Sequence, residues 1–281
     1  MNKQIEIGRT MIQSYNKLGY DAYNVSSHDF PGGFKRVREL ENSADFPFIS
    51  ANILDSVSQQ PLFKPYIIKK VSRKKFGIIG VTSLLKAPIK GAIIGVITES
   101  INKYLPEIRK QADYIILLAY LERDDEMEFF TQQLDIDFIL VSGTFRYSRN
   151  LENKKGMLVA RCGNIGKYAG ILKFDLKEPD QQLTDISNLM VQMNYAEKRM
   201  NSFKDAAQDR PLEEFYAKDP NILRTIKSLE TQIQILQDEI QTSKNPITYD
   251  LIDLDESIPD SPEIRSMLND LEKRITQIQS N

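Results

Sequence analysis

The stretch Asn24 to Phe30 reads NVSSHDF, and it carries the sole histidine of the chain, His28, directly before a carboxylate, Asp29. An imidazole beside an acid is minimal equipment for general acid–base work at neutral pH. Imidazole is also a usual ligand for zinc, manganese or iron. With one histidine in 281 residues, any mechanism that needs two imidazoles is excluded. His28 could act as the base of a metal-free hydrolase. The reading we prefer is a histidine that packs and hydrogen-bonds with Asp29 at its loop. No Gly-x-Ser-x-Gly elbow or second imidazole accompanies it to build a nucleophile triad.

Three other segments carry reactive types. RDDE, Arg123 to Glu126, follows the apolar strand YIILLAYLE, at the end where α/β sites form. Three acids could bind a hard cation such as magnesium. We favour the other role, acids in the first turn of a helix that satisfy its free amides and dipole. GNIGKYAG is glycine-rich but lies between two strands, whereas a phosphate cradle needs a helix after it, so it reads as a strand-joining turn. The single cysteine, Cys162, rules out an internal disulfide and a Cys-rich zinc site, and reads as a small apolar side chain.

The elements that position these residues alternate between strand and helix patterns. Strands are predicted at DAYNVSS, FPFISANIL, FKPYIIKKV, KKFGIIGVTS, DYIILLAYL, DFILVSG, GMLVARCG and YAGILKFDL. Helices fall at IEIGRTMIQSYNKLGY, PGGFKRVREL, Ser100 to Gln111 and RDDEMEFFTQQL. Such alternation indicates an α/β core. After about Leu176 the apolar spacing changes to alternating steps of three and four. The rows run from Leu189 to Ala207, from Ile222 to Ile240 and from Ile264 to Ile278. This is the seam of a coiled coil or helical hairpin. The expected organisation is an α/β domain over 1–177 and a helical, heptad-patterned extension over 178–281. A formal net charge of −2 and a pI near 5.7 offer no field to attract nucleic acid. No apolar run approaches the ~18–20 residues of a membrane span, and the start MNKQIEIGRT has no secretory pattern.

The α/β part resembles the 5'-nucleotidase branch of the calcineurin-like metallophosphoesterases. The carrying segments are LGYDAYNVSSHDF, FPFISANILD, PLFKPYIIKKV, KKFGIIGVTS, ADYIILLAYLE, LDIDFILVSG and GNIGKYAGILKFDL, in that order between residues 5 and 176. The resemblance implies an α/β/β/α sandwich, truncated at its front and followed by the coiled-coil-like extension. In the family two metals about 3.5–4 Å apart clamp a phosphate and activate water. Here the resemblance places none of the family's ligands. The Asp-x-His and Gly-Asp motifs would lie before Met1. The Gly-Asn-His-Asp loop reads Ser26-Ser27-His28-Asp29, the Ser-His pair reads Ala119-Tyr120, and the Gly-His-x-His motif reads Ser142-Gly143-Thr144-Phe145. His28 and Asp29 remain as the non-ligand pair, in which the family's acid orients the imidazole. Arg146, beside the last motif, could hold an anion without metal; the plainer reading is a solvated loop arginine.

The resemblance therefore implies no metal ligand and no cofactor, with divalent ions required only if the chain is a phosphomonoester hydrolase. The resemblance would place the family's first two strands before Met1. An upstream coding segment, a partner chain completing the sheet, or a rearranged smaller sheet would each account for that. Association through the heptad helices is the other expected partnership. As it stands the chain reads as cytoplasmic. If a signal-bearing front segment is missing, it reads as exported to the periplasm.

Overall fold

Apolar, β-branched runs become the strands of one mixed sheet. The computed structural model describes residues 3–30, 32–83, 88–177, 183–208 and 210–279. The chain divides into two units. The first takes the residues up to Ser148, then Glu152–Ala169, and the chain from Asp253; the second takes Arg149–Leu151 and Gly170–Ile252.

In the first unit, α1 (Lys3–Leu18) leads to β1 (Tyr23–Asn24), α2 (Gly33–Asn42), β2 (Phe48–Ile49) and β3 (Ile53–Asp55). Then follow β4 (Tyr66–Val71), β5 (Lys74–Thr82), β6 (Ala92–Ile94), α3 (Ile97–Gln111), β7 (Tyr114–Tyr120) and α4 (Arg123–Phe129). The order continues with β8 (Phe138–Ser142), β9 (Glu152–Lys154) and β10 (Met157–Arg161). The main sheet runs β4-β5-β7-β8-β10-β9. Its central pairs β5–β7, β7–β8 and β8–β10 are parallel, and antiparallel partners close both edges. Short pairs β1–β2 (parallel) and β3–β6 (antiparallel) form separately.

Glycines in β5 show which layer lies on which face. A Cβ on Gly77 would sit 2.1 Å from Cγ2 of Ile108 in α3, whereas one on Gly80 would sit 2.4 Å from Oδ1 of Asn24 and 3.0 Å from Ile49. Side chains alternate across a strand, so α3 packs on one face and the β1–β2 pair on the other. Ile79, Val81, Ile101, Leu105, Ile108, Ile115, Leu117, Leu121 and Phe129 fill the α3 side. A second cluster, including Ile12, Val25, Val37, Phe46, Phe48 and Phe63, fills the space under α1 and α2. Helix layers outside and strand layers inside give the α/β architecture expected from the resemblance.

The second unit holds β11 (Tyr168–Phe174, entered from the first unit), β12 (Thr184–Asp185), α5 (Ser187–Ala207), α6 (Leu212–Phe215), α7 (Pro220–Thr242) and β13 (Pro246–Asp253). Ala196, Met200, Tyr216, Ile226 and Leu229 are buried between its helices, which places the first two heptad rows against each other. The third row, α8 (Pro262–Gln279), packs on α1 in the first unit. The sequence division placed all of 178–281 in one extension. The structure instead assigns α8 to the α/β unit, because heptad spacing specifies an apolar seam without specifying what covers it.

Candidate functional site

Parallel strands present their carboxyl ends along one edge of the main sheet. Thr82 of β5 lies opposite Tyr120 of β7, and Tyr120 opposite Ser142 of β8. Ser83 N–H donates to the Tyr120 carbonyl at 2.8 Å, and Glu122 N–H donates to Ser83 Oγ at 2.9 Å, tying the two strand exits together. Asn52, fully buried, fixes the end of β5. Its Nδ2 donates to the carbonyls of Thr82 (2.7 Å) and Gly95 (3.1 Å), and its Oδ1 accepts from Thr82 N–H at 2.9 Å.

The His28 loop meets this edge. His28 lies 5.2 Å from Tyr120 between ring centroids. Gly143 has φ +85°, and a Cβ there would fall 2.8 Å from the Tyr120 ring, so the close approach requires glycine. Three segments in which the resemblance places metal ligands thus come together around the Tyr120 ring. Phe145, in the same loop as Gly143, is 81% exposed.

The loop is built on its carboxylate. Ser27–Asp29 is one turn of 3-10 helix whose capping box is closed by Ser26. Ser26 N–H donates to Asp29 Oδ2 at 2.7 Å, and the Tyr23 hydroxyl donates to Asp29 Oδ1 at 2.7 Å. Asp29 therefore holds the turn through both of its oxygens. Burial pushes its carboxyl above the usual range, opposed by the hydrogen bonds from Tyr23 and Ser26 and least by the His28 charge. Burial and the neighbouring Asp29 push the Tyr23 phenol up as well.

The sign of the Asp29 effect gives a testable pH dependence. A carboxyl raised in the folded state binds its proton more tightly there than in the unfolded chain. Stability is then fully present below the unfolded value of about 3.9, and is lost as pH rises through the folded value. Urea unfolding from pH 4 to 7 is expected to show this decline in the wild type and a flatter profile in Asp29→Asn. Parallel profiles would refute the assignment.

Arg146 does not stand alone: its Nη1 is 3.5 Å from Oε1 of Glu126, the last acid of RDDE. Glu126 is buried and is held chiefly by Arg161, at the end of β10. Arg161 is 1% exposed, donates from Nε to Glu126 Oε1 at 3.1 Å, reaches Glu152 at 2.5 Å, and lies over the Phe130 ring. Sequence reading missed Arg161; a charged residue ending the apolar strand MLVAR was its only signal. Asp124, Asp125 and Glu126 lie in the first turn of α4, where the sequence placed them, although the N-cap residue Glu122 makes no side-chain cap bond; Glu126 also serves the ion pair. A cavity of about 260 Å³ lies beside the end of β5, lined by Thr82, Ile94, Ile97, Asp125, Glu128 and Phe129 among others.

No family model matches the chain. Similarity to individual proteins is clear. A 2',3'-cyclic-nucleotide 2'-phosphodiesterase/3'-nucleotidase of Salmonella typhimurium is 34% identical over 126 residues, covering 39% of this chain and 20% of that protein. A 5'-nucleotidase precursor of Thermus thermophilus superposes with a TM-score of 0.55 at 21% identity, over 63% of this chain and 39% of that one. A calcineurin-like phosphoesterase of Bacillus subtilis superposes with a TM-score of 0.52 at 22% identity, over 64% and 66%. The α/β unit therefore has the calcineurin-like phosphoesterase fold. Over the matched residues the chain is similar to 2',3'-cyclic-nucleotide 2'-phosphodiesterase/3'-nucleotidases and to calcineurin-like 5'-nucleotidases, and it spans about a fifth of the length of the curated relatives it matches first.

With this fold, the donor set becomes the decisive question. Ala119, Gly143 and Phe145 have no ligating side-chain atom, and Tyr120 is a poor ligand while its phenol is neutral. Among the described residues, no group of three or more His, Cys, Asp or Glu side chains could hold a metal ion. The residues at these positions do not fit a pair of phosphatase metals. Among the described residues, no helix is long and apolar enough to cross a membrane.

Proposed function

We propose that this chain is a degenerate metallophosphoesterase of the 5'-nucleotidase type, catalytically inactive, that acts as a binding or structural module. One observation carries the reading. The carboxyl edge of the sheet keeps the family's framework, while the ligand positions around Tyr120 offer an aromatic ring, a glycine and an alanine. Losing one transition-state stabiliser costs an enzyme about 2.7–4 kcal/mol, and here the ions themselves lack holders. His28 and Asp29 are then vestigial, and Arg146 shares Glu126 with Arg161 in place of a bound anion. Neither a metal nor another cofactor is required in this reading.

Assays of p-nitrophenyl phosphate and adenosine monophosphate with added manganese are expected to show no turnover above blank, for wild type and His28→Ala alike. Turnover that His28→Ala abolishes would overturn the proposal.

A second reading is favoured by the retained placement of His28 at the sheet edge. In it the chain is a metal-dependent phosphomonoester hydrolase, exported and completed by an upstream segment or partner chain that supplies the acidic ligands. Adding such a segment should then restore metal-dependent turnover. No gain on mixing would remove this reading.

A further inference from the structure

The C-terminal helix α8 is attached to the α/β unit in an unusual way. None of its described residues is buried: Ile264, Met267, Leu271, Ile275 and Ile278 are half-exposed and Leu268 is 38% exposed. What it grips is charge on α1. Arg274 Nε lies 3.0 Å from Oε2 of Glu6, and its Nη2 donates to Thr10 Oγ1 at 3.0 Å. At the other end Lys17 Nζ lies 2.7 Å from Oε1 of Glu263. Acid and base are spaced alike on both helices and run in opposite directions, so the two pairs fix one antiparallel register.

Glu6 is the demanding partner. Its carboxylate is 4% exposed, and a buried charge needs its counter-ion. Arg9 on its own helix supplies one contact at 3.1 Å, and Arg274 supplies the second. The tether that brings α8 there is exposed from Leu254 to Ser261. It holds Pro259, and a turn closed by Ile258 N–H on the Asp255 carbonyl. Extended, this segment spans at most about 28 Å. Release of α8 gives up its contact with α1, and leaves a carboxylate that any copy of α8 can satisfy with the same two ion pairs. Exchange of an identical element is a low-cost route to a dimer.

We infer that α8 is an exchangeable arm, and that the partner it fits is α1 of a second copy of this chain. This goes beyond the proposed function and stands whether or not the chain is catalytic. At low concentration the tether favours docking within one chain, because it holds α8 at an effective concentration on the order of millimolar. Weakening the internal contact should shift the balance to the exchanged dimer.

Charge reversal across two chains tests this directly. Glu6→Arg and Arg274→Glu each set like charges against each other within their own chain. Mixed in equal amounts, the two variants can restore both opposite-charge contacts only by exchange. Light scattering is expected to show monomers for each alone, a dimer for the mixture, and wild-type behaviour for the single-chain E6R/R274E variant. A mixture that stays monomeric overturns the inference. Should E6R fail to fold, K17C and E263C chains in a C162S background are oxidised together. A covalent dimer specific to the mixture supports exchange. Its absence, with efficient internal closure of K17C/E263C in one chain, overturns it.

Discussion

Replacing Arg161 by methionine is expected to destabilise the α/β unit by about 3–5 kcal/mol, the cost of removing one partner from a buried ion pair. Arg161 is almost wholly enclosed, and it is the main counter-ion of Glu126, which is itself buried. Without it, among the described residues, Glu126 keeps Arg146 at 3.5 Å, from a side chain that is 55% exposed, and a distant, solvated contact recovers little. The loss is of the uncompensated charge more than of the bond. The double variant R161M/E126L should therefore regain most of the stability, because apolar replacement of a whole buried pair is often neutral or better. Urea midpoints of the single and double variants decide this. A single variant within about 1 kcal/mol of wild type, on the scale of an exposed pair, would show that the cluster is solvated and not structural.

Asn52→Leu is expected to cost about 3 kcal/mol, since each buried polar group left unsatisfied costs roughly 1–3 kcal/mol. Leucine is close in size but would strand the Thr82 N–H and the carbonyls of Thr82 and Gly95, all now bonded to Asn52. The effect should be local as well as global. Hydrogen exchange at Thr82 is expected to accelerate more than exchange in the middle of β7, because the end of β5 loses its anchor while the strand pairing survives. Uniform acceleration would mean that Asn52 supports the whole unit and not the site edge in particular.

Much of the architecture was readable in the residues, for reasons that differ by element. The central strands β5, β7 and β8 are buried on both faces, and their near-continuous apolar runs announce that. FPFISANIL was read as one strand, yet it forms β2 and β3 with a break at Ser50 to Asn52. The break exists because Asn52 turns to bind Thr82, a tertiary contact with no local sign. The helix expected over RDDEMEFFTQQL ends at Phe129, where Phe129 itself is drawn into the core. The third heptad row predicted a helix correctly and said nothing of α1 as its cover. That pairing depends on Glu6 and Arg274, far apart in sequence.

The site was legible where neighbours in sequence make it and illegible where the fold does. His28 and Asp29 stand out as the only His-Asp pair. That Asp29 is held by Tyr23 could not be read, because Tyr23 looks like any strand aromatic. Likewise Gly143 announces a turn, but its reason, the face of Tyr120, lies on a different strand. The departures from the family's ligand motifs were readable only by resemblance, since a position without a ligating side chain leaves no pattern of its own.

The central claim is that the family's framework persists here without the means to hold its ions. Calorimetric titration of the purified chain with manganese and with zinc, read together with the metal content of the protein as isolated, tests it most directly. The account predicts no stoichiometric binding, and heats that do not change in His28→Ala. Saturable uptake of a pair of ions per chain at micromolar concentration or tighter would contradict it.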